Sequence, residues 1–599
     1  MTQGVHLVII IIAIKIGGEK MKFFKFLKKI IFGTIFFVIK EIFSFLIKGF
    51  LFLIILFGIS GIVLNEILEK DSITLENESY IELDLAREFK EKSKNLPEIL
   101  KNEDINFYSL LKTFDSIEKD EKVKGVILKL DNLALNRGQI EELSEKLTSL
   151  KAKNKMVYSY MTSVDSRNYS LATKSSEIFM PPAMSANVNI TGYYAEMMYY
   201  KNLADRLGIK VNVVHVGDYK SYGEQYVKDK MSPEYKENME RLLNKVYDNF
   251  VKNISKDRKL NENLINERIL AGDLMVSEPY QLKKLGMVDE LMYYEQLKEF
   301  LGKKKVVSLE KYAQYVQSSK KIGRKNSDKI AIIYAEGTIL MGEEPRNLSD
   351  QLTPNIILNE LDKALKDKNV KGIVLRVNSP GGSALASAII NNKIKEVNKV
   401  KPVYVSIGGI AASGGYYISA DAKKIYADKG SLTGSIGVVS LIPNIKELIG
   451  KIDINIEELK KGEYADIYSL TNEVNKDKLD KIYASNLKVY DEFLNVVSEG
   501  RDLNREYVHS IAQGKVWLGE EAFELKLVDE IGGIEATING LANDLNLTNY
   551  NVIEISESLD YNSLLKKYVP LMKLSEKIQS TFVEKELYFK SLYYFPYNI

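Results

Sequence analysis

The chain has 599 residues, too many for a single hydrophobic core, so we expect at least two domains. Its 83 basic and 81 acidic side chains nearly cancel, and this balance argues against nucleic acid or another polyanion as a partner. Cysteine is absent, which excludes thiolate catalysis, cysteine metal sites and disulfide bonds.

The first predicted element is an apolar segment near the N-terminus. Residues 42–64 are apolar apart from Lys48 and two serines, and a helix of this length can cross a hydrocarbon layer of roughly 30 Å. We therefore predict one transmembrane helix at 42–64, after a basic cytoplasmic segment at 1–41. Lysines dominate before it and acidic residues after it, which predicts a cytoplasmic N-terminus and a body on the non-cytoplasmic side of the inner (cytoplasmic) membrane. A cleaved signal peptide is the alternative, although no small-x-small cleavage pattern follows Leu64.

Beyond this segment the chain carries a duplication with a period of about 240 to 250 residues. Matching segments of the two copies are found at 79–85 and 329–334, at 125–130 and 372–377, and at 285–291 and 525–531. Short apolar strands that alternate with helical patterns, such as the charged helix predicted at 356–366, indicate an α/β fold with largely parallel strand pairing.

The matches also predict domain boundaries. The predicted order is a first repeat at 75–310, a linker rich in Ser, Gln and Lys at 311–328, a second repeat at 329–541 and a C-terminal extension at 542–599. The extension matches nothing in the first repeat. We expect it to be helical and to pack an apolar face on the body or on a neighbouring subunit.

Two glycine-rich turns of the second repeat suit the chemistry of acyl transfer. The sequence NSPGGS at 378–383 directly follows a strand, and its glycines leave backbone N–H groups unshielded, so that they can donate to a developing oxyanion. Ser413 lies in AASGGY after a strand predicted at 403–407, where a helix begins and the N–H of Gly414 favours negative charge. Ser413 is therefore the leading candidate nucleophile. The spacing fits neither the G-x-S-x-G turn nor the G-x-G-x-x-G dinucleotide motif.

A third turn, TGSIG, contains Ser435. Each of these turns, taken alone, is also compatible with an ordinary connection between a strand and the next element.

A serine hydroxyl needs a base before it can act as a nucleophile, and the choices are histidine or a neutral amine. His6 belongs to the N-terminal segment, and His509 falls in a helical stretch at 505–513, where a histidine is more often structural. His215 lies on a strand predicted at 210–216 and shares a face with apolar residues, which favours burial.

Lysine is the better-supported base because the two copies have lost complementary residues. Lys220 follows the strand at 210–216, whereas the second copy has Ala465 at the matching position. Conversely, the first copy lacks the glycines and the serine of the second. A lysine is usually solvated, and it acts as a base only when desolvation lowers its pKa. One serine–lysine site shared between the two halves is the simplest interpretation.

Five ordered motifs together resemble a known family. They are SPGGS, AASGGYYIS and TGSIGV in the second repeat, GDYKSYGEQYVKDKMSP in the first, and GKVWLGEEAFELKLVDEIGG near the end. The set resembles the long, duplicated form of signal peptide peptidase A, from the apolar segment to about Gly533. The resemblance implies a membrane-anchored serine endopeptidase with two tandem Clp-protease/crotonase-like repeats, which degrades cleaved signal peptides outside the cytoplasm.

The resemblance also implies roles for individual residues. The implied set is Ser413 as nucleophile, Lys220 as general base, Ser435 as the residue that orients the lysine, and Gly381, Gly382 and Gly414 as the oxyanion hole. It further implies a homotetramer that admits extended hydrophobic peptides to internal sites. No metal-binding motif occurs in the sequence, and we expect no cofactor.

Two other classes of function stay open. A crotonase-like acyl-CoA enzyme would share the fold and the oxyanion turns, but it would not need the pair Ser413 and Lys220. A non-catalytic membrane scaffold would keep the fold, but it would tolerate the loss of the nucleophile.

Overall fold

The structure is a computed structural model. It describes residues 44, 48–51, 54, 75–92, 105–275, 277–319, 328–342, 351–555 and 592–594. The chain divides into two compact units, Met1–Thr74 and Leu75–Ile599. Most of the transmembrane helix predicted at 42–64 lies outside the described residues, and the few described there are helical. Within the described parts of the chain, none of the helices combines the length and the apolar character needed to span a membrane.

The first half of the large unit alternates short strands with helices. Its strands are β1 (Ser79–Asp84), β2 (Val123–Lys129), β3 (Met156–Tyr160), β4 (Ser163–Asp165), β5 (Glu177–Met180), β6 (Asn187–Asn189), β7 (Lys210–Val216), β8 (Glu290–Leu291) and β9 (Val306–Ser308). Its helices are α1 (Phe107–Lys119), α2 (Arg137–Ala152), α3 (Ser166–Ala172), α4 (Lys201–Leu207), α5 (Glu224–Val227), α6 (Pro233–Arg258), α7 (Glu262–Leu270), α8 (Pro279–Lys284), α9 (Tyr294–Leu301) and α10 (Leu309–Ser319), with a 3-10 turn at Lys303–Lys305.

The second half repeats this alternation. Its strands are β10 (Asp328–Glu336), β11 (Thr338–Ile339), β12 (Gln351–Leu352), β13 (Val370–Ser379), β14 (Gly381–Ser383), β15 (Val403–Ala412), β16 (Lys424–Ala427), β17 (Leu432–Gly434), β18 (Val438–Asn444), β19 (Val516–Leu518), β20 (Glu530–Ile531), β21 (Tyr550–Glu554) and β22 (Leu592–Tyr594). Its helices are α11 (Pro354–Lys366), α12 (Ala384–Asn398), α13 (Gly414–Ser419), α14 (Lys446–Gly450), α15 (Lys476–Arg501), α16 (Arg505–Ile511), α17 (Gly519–Glu524) and α18 (Ile534–Asp544).

The two halves have the same sheet topology. In the first, the strand order β9-β1-β2-β3-β5-β8 is parallel throughout. In the second, β21-β10-β13-β15-β16-β20 gives the same order, also parallel, and β17 and β19 extend it beside β15. The central strands are almost fully buried because helices cover both faces, which explains their continuous apolar runs. The predicted α/β class and the duplication are confirmed.

A third sheet joins the halves and positions the candidate site. Its order is β12-β11-β14-β22-β18-β7, so that β7 of the first half pairs antiparallel with β18 of the second. The register runs from Val216 opposite Val438 to Lys210 opposite Asn444. This pairing carries the chain that follows β7, which includes Lys220, into the second half.

Two expectations about connecting segments need correction. The predicted linker begins as the second part of α10, in which Tyr312 is fully buried, and β10 starts at Asp328. The extension is not helical throughout, because α18 ends at Asp544 and β21 adds a parallel edge strand beside β10. Its sequence, YNVIE, has the branched and aromatic side chains that favour strands.

Candidate active site

Ser413 lies at the junction between β15 and α13. Its side chain is fully buried, and its backbone has φ 56° and ψ −117°, a left-handed conformation that costs free energy for a residue with a β-carbon. The turn is held from both sides. The Ser413 N–H donates to the Gly434 carbonyl at 2.8 Å, and a β-carbon at position 415 would lie 2.4 Å from the Ser379 carbonyl oxygen. Glycine at 415 is therefore what allows the helix to start so close to the neighbouring turn.

Lys220 reaches Ser413 from the other half of the molecule. Its Nζ lies 2.7 Å from Ser413 Oγ, 2.8 Å from the Ser435 carbonyl oxygen and 3.0 Å from Ser435 Oγ. The side chain is only 3% exposed. Gly437 and Gly514 pack directly on the lysine, since a β-carbon at either position would crowd it. The structure therefore brings three of the sequence-predicted residues into one hydrogen-bonded cluster.

Burial alone lowers the pKa of Lys220 well below its ordinary value. No carboxylate opposes this effect, so the uncharged amine is favoured. An uncharged amine has two N–H groups and one lone pair. The two N–H groups suit the two oxygens of Ser435, and the lone pair can then accept the proton of Ser413 Oγ. Such an arrangement can activate a serine hydroxyl.

Ser435 is itself held rigidly. It has a left-handed backbone with φ 53°, it is 1% exposed, and its N–H donates to the Lys515 carbonyl at 2.6 Å. Both of its oxygens lie within hydrogen-bonding distance of Lys220 Nζ. Its predicted role as the residue that orients the lysine stays a prediction, and this geometry suits it.

The predicted oxyanion donors are not equivalent. Gly381 and Gly382 have φ 102° and 151°, a conformation that glycine adopts without strain. The Gly381 N–H already donates to Ser379 Oγ at 3.2 Å, and that hydroxyl donates to the Gly337 carbonyl at 2.6 Å. Gly414 is the first residue of α13, so its N–H has no acceptor within the helix. Ser379, which the sequence analysis did not select, thus fixes the turn.

An extended segment of the chain itself lies beside this turn. Strand β22 pairs antiparallel with β14, with Gly381 opposite Tyr594 and Ser383 opposite Leu592. Its other edge meets β18, where Val439 lies opposite Leu592. The facing edges of β14 and β18 can therefore receive an extended polypeptide by strand addition.

A cavity of about 1600 Å³ opens next to the candidate site. One part of its wall is apolar, formed by Val246, Ile410, Leu432 and Leu518, and Pro380 lies beside it. Ser413 and Lys220 are buried and are not part of the cavity lining, whereas Ile410 and Pro380 are close in the chain to Ser413 and Gly381. Both halves of the molecule contribute to the cavity, because Val246 belongs to α6 and the others to the second half.

Neither His215 nor His509 takes part in this cluster, and His6 lies outside the described residues. The predicted burial of His215 is wrong, because β7 turns Val214 and Val216 inward and leaves His215 exposed. His509 is also exposed and contacts the Tyr490 hydroxyl at 3.1 Å. In the part of the chain that the structure describes, no group of acidic or histidine side chains is arranged to hold a metal ion.

Sequence comparisons agree with this architecture. The profile of peptidase family S49 matches residues 149–308 and 395–548, and the Clp protease profile matches residues 321–428. The fold is thus Clp protease-like, with duplicated S49 domains.

Named relatives extend over most of the chain. "Protease 4" of Haemophilus influenzae is 33% identical over 454 residues, which cover 73% of this chain and 72% of that protein. "Serine protease SPPA, chloroplastic" of Arabidopsis thaliana is 28% identical over 451 residues, which cover 73% of this chain and 65% of that protein. "Protease 4" of Salmonella typhi is 29% identical over 445 residues, which cover 72% and 71%. With more than half of its residues matched by the family profile, the chain belongs to peptidase family S49, and it is a serine peptidase of the SppA type.

Proposed function

We propose that this serine peptidase cleaves hydrophobic peptides, including released signal peptides, with Ser413 as nucleophile and Lys220 as general base. The observation that carries the proposal is the 2.7 Å contact between a buried amine and a buried hydroxyl that come from different halves of the chain. Burial lowers the pKa of Lys220 and favours the uncharged amine, which is the form that a base requires.

The proposed mechanism has two steps. The Lys220 amine takes the proton of Ser413 while Oγ attacks the peptide carbonyl carbon, and the N–H groups of Gly382 and Gly414 stabilise the oxyanion. The C–N bond then breaks as the lysine cation protonates the leaving amine, which leaves an ester on Ser413. A water molecule gives its proton to Lys220 and attacks this ester. The C–O bond breaks, Ser413 Oγ regains the proton and the acid product leaves.

The surroundings of the site favour extended, apolar peptides as substrates. The edges of β14 and β18 accept an added strand, as the pairing of β22 illustrates. The apolar wall at Val246 and Ile410 suits hydrophobic side chains next to the cleaved bond. Hydrolysis of an apolar peptide by the full chain, with acyl-CoA binding measured by calorimetry in parallel, separates this proposal from an acyl-CoA enzyme. Binding of acyl-CoA without peptide hydrolysis would favour the latter.

Membrane anchoring is the second part of the proposal. It depends on the apolar segment at 42–64 and on the lysines that precede it, which would leave the catalytic body on the non-cytoplasmic side. Extraction of the full chain from membranes only by detergent, together with protection of its body from protease added on the cytoplasmic side, tests this orientation.

Assembly from several copies, with four as the proposed number, is supported by two segments that join no sheet in the described part of the chain. Strand β7 pairs with β18, and each has a counterpart in the other repeat. The counterpart of β18 is 193–199. The counterpart of β7, together with the residues that lead into it, is 452–461. Neither counterpart joins a sheet in the described part of the chain, and both carry exposed apolar side chains, namely Tyr194, Met198, Ile452, Ile454 and Ile456. Head-to-tail pairing of these segments between copies would repeat the β7–β18 contact and could close a ring.

We expect the double change Ile454→Asp and Ile456→Asp to separate the copies. The two isoleucines are about half exposed in the single chain, so a charge there should disturb association and leave the fold unaffected. Sedimentation of the detergent-solubilised chain should give four copies for the unmodified protein and one for the variant. Phe300→Asp, at an exposed apolar position on α9, is the control and should stay assembled.

The activity should rise with pH through a single ionisation that lies below the ordinary pKa of lysine. Only the deprotonated amine accepts the serine proton, and burial lowers the pKa of Lys220, so kcat/KM should be low in acid and reach a plateau in base. The measurement is kcat/KM of an apolar peptide between pH 5 and pH 10. His215→Ala should leave the profile unchanged, because that side chain is exposed on β7. A flat profile would count against Lys220 as the base.

A further inference from the structure

The first repeat keeps a counterpart of the Ser413 turn. Tyr416, three residues after Ser413, donates its hydroxyl to the Leu527 carbonyl at 2.8 Å, and Tyr169 donates in the same way to the Met287 carbonyl at 2.8 Å. Ser166, three residues before Tyr169, therefore occupies the position of Ser413. The second repeat has Ala465 at the position of Lys220, so the sequence offers no equivalent lysine for Ser166.

Two arginines occupy the positions that surround the nucleophile in the other repeat. Arg137 is the first residue of α2, as Ala384 is of α12, and Arg167 follows Ser166 as Gly414 follows Ser413. The Arg167 guanidinium donates to the Leu135 carbonyl, within the counterpart of the glycine turn. Where the second repeat stabilises negative charge with backbone N–H groups, the first presents guanidinium groups.

Arg137 has unused capacity to bind an anion. Its Nη1 is buried and has no hydrogen-bond partner among the described residues, and its guanidinium lies 5.3 Å from the centre of the Tyr193 ring. Burial lowers the pKa of Arg137, and the nearby charge of Arg167 acts in the same direction, while Tyr193 and Glu141 act against it. Glu141 on the same helix offsets part of this positive charge, and a bound anion would stabilise the two cations further.

Carboxylates near these arginines are engaged elsewhere. Asp165 accepts from the backbone N–H groups of Arg167 and Asn168, both at 2.8 Å. Glu141 accepts from the Gly430 N–H at 2.8 Å. Among the described residues, neither Arg137 nor Arg167 belongs to a salt bridge with a side chain of this protein. In the described part of the chain no carboxylate completes the pair, and an anionic ligand would do so.

The arginines line a cavity that also reaches residues close in the chain to the candidate active site. The cavity of about 1600 Å³ contacts Arg137 and Ser166 at one place and Pro380 and Ile410 at another. A β-carbon at Gly409 would lie 3.0 Å from Cγ of Asn136, the residue before Arg137. Gly409 precedes Ser413 by four residues of extended chain, roughly 13 Å at about 3.3 Å per residue. A peptide segment of about that length can connect the two sites.

We propose that Arg137 and Arg167 bind the free α-carboxylate of a peptide whose cleaved bond lies at Ser413. The inference rests on the proposed peptidase function. The first repeat would then bind the carboxyl end of the peptide. The enzyme would favour substrates whose free C-terminus lies a few residues beyond the cleaved bond. Peptides released from larger precursors have such a terminus, whereas an internal loop of a protein does not.

The test compares two peptides of identical sequence, one with a free C-terminal carboxylate and one with a C-terminal amide, each with five residues after the cleaved bond. The full chain should have a KM about tenfold lower for the acid, with similar kcat, since a charge-assisted pair is lost in the amide. Arg137→Gln should remove this difference by raising KM for the acid only. Lys252→Gln, an exposed lysine on α6 that lines the same cavity, should preserve it.

Several outcomes would overturn the inference. Equal KM values for acid and amide in the unmodified protein would do so. An equal rise in KM for both peptides in Arg137→Gln would also do so, as would dissociation of the assembly in that variant. Absence of hydrolysis for both peptides would instead contradict the proposed function. Calorimetry on the Ser413→Ala variant measures peptide binding without hydrolysis. We expect the acid to bind more tightly than the amide. Competition by inorganic phosphate alone, with no preference between the peptides, would indicate a general anion site.

Discussion

Lys220→Met is expected to abolish peptide hydrolysis and to leave the protein folded. The lysine amine is the proposed base and lies within hydrogen-bonding distance of Ser413 Oγ, so its loss should lower kcat by about 10³-fold or more. Methionine keeps the length of the stem that packs against Gly437 and Gly514. The measurement is kcat of an apolar peptide together with the thermal unfolding midpoint.

Stability provides an independent readout for the same variant. The lowered pKa of the buried amine means that the folded state binds fewer protons than the unfolded state below the ordinary pKa of lysine. Lys220 therefore costs stability at neutral pH, and Lys220→Met should unfold at the same or a higher temperature than the unmodified protein. Lys230→Met, at an exposed lysine in the same connection, should change neither property. Retained hydrolysis in Lys220→Met would show that another group acts as the base.

Much of the candidate site could be predicted from the duplicated sequence. Lys220 and Ser413 were selected because each repeat lacks what the other has, and the 2.7 Å contact between them is what one shared site requires. The strands followed from apolar runs, which agree with buried parallel sheets. Their catalytic roles stay predictions, whereas their proximity is a property of the fold.

Other features depend on contacts that no local pattern encodes. The Ser379 hydroxyl accepts a hydrogen bond from the Gly381 N–H. Nothing in the motif SPGGS indicates whether that hydroxyl has a structural role. His215 sits on a strand with apolar residues on both faces, so alternation could not indicate which face was buried. The strand β21 could not be predicted from its own sequence alone, because it forms by pairing with the edge of β10, which lies more than 200 residues away along the chain.

The buried arginine of β13 is the clearest case of this limit. Arg376 occupies the position of Lys129 in the first repeat, and nothing in the two strand sequences distinguishes the surroundings of these charged residues. Arg376 is fully buried, and it donates to Glu91 and Glu142 of the first half and to Ser406. The neighbouring carboxylates outweigh the cost of burial and raise the pKa of Arg376. This network links the two repeats through charges that have no access to water.

Arg376→Met should therefore be the most destabilising single change proposed. Removing one member of a buried ionic network leaves the others uncompensated, at a cost of about 3 to 5 kcal/mol in the free energy of unfolding. Lys129→Met removes a side chain that is one-third exposed and lies 3.6 Å from Asp84, and it should cost under about 1 kcal/mol. The measurement is the urea midpoint of unfolding for both variants.

The pH dependence of the Arg376→Met cost distinguishes loss of charge from loss of packing. Burial already raises the pKa of Glu142 to about 7, and removal of the neighbouring cation should raise it further. A carboxyl with a raised pKa in the folded state contributes stability at low pH, and this contribution is lost as pH rises through the folded value. The deficit of Arg376→Met should consequently be larger at pH 9 than at pH 6. An equal loss of unfolding free energy at pH 6 and pH 9 would mean that the guanidinium acts mainly by filling space. The variant would then be less stable only because methionine packs differently from arginine.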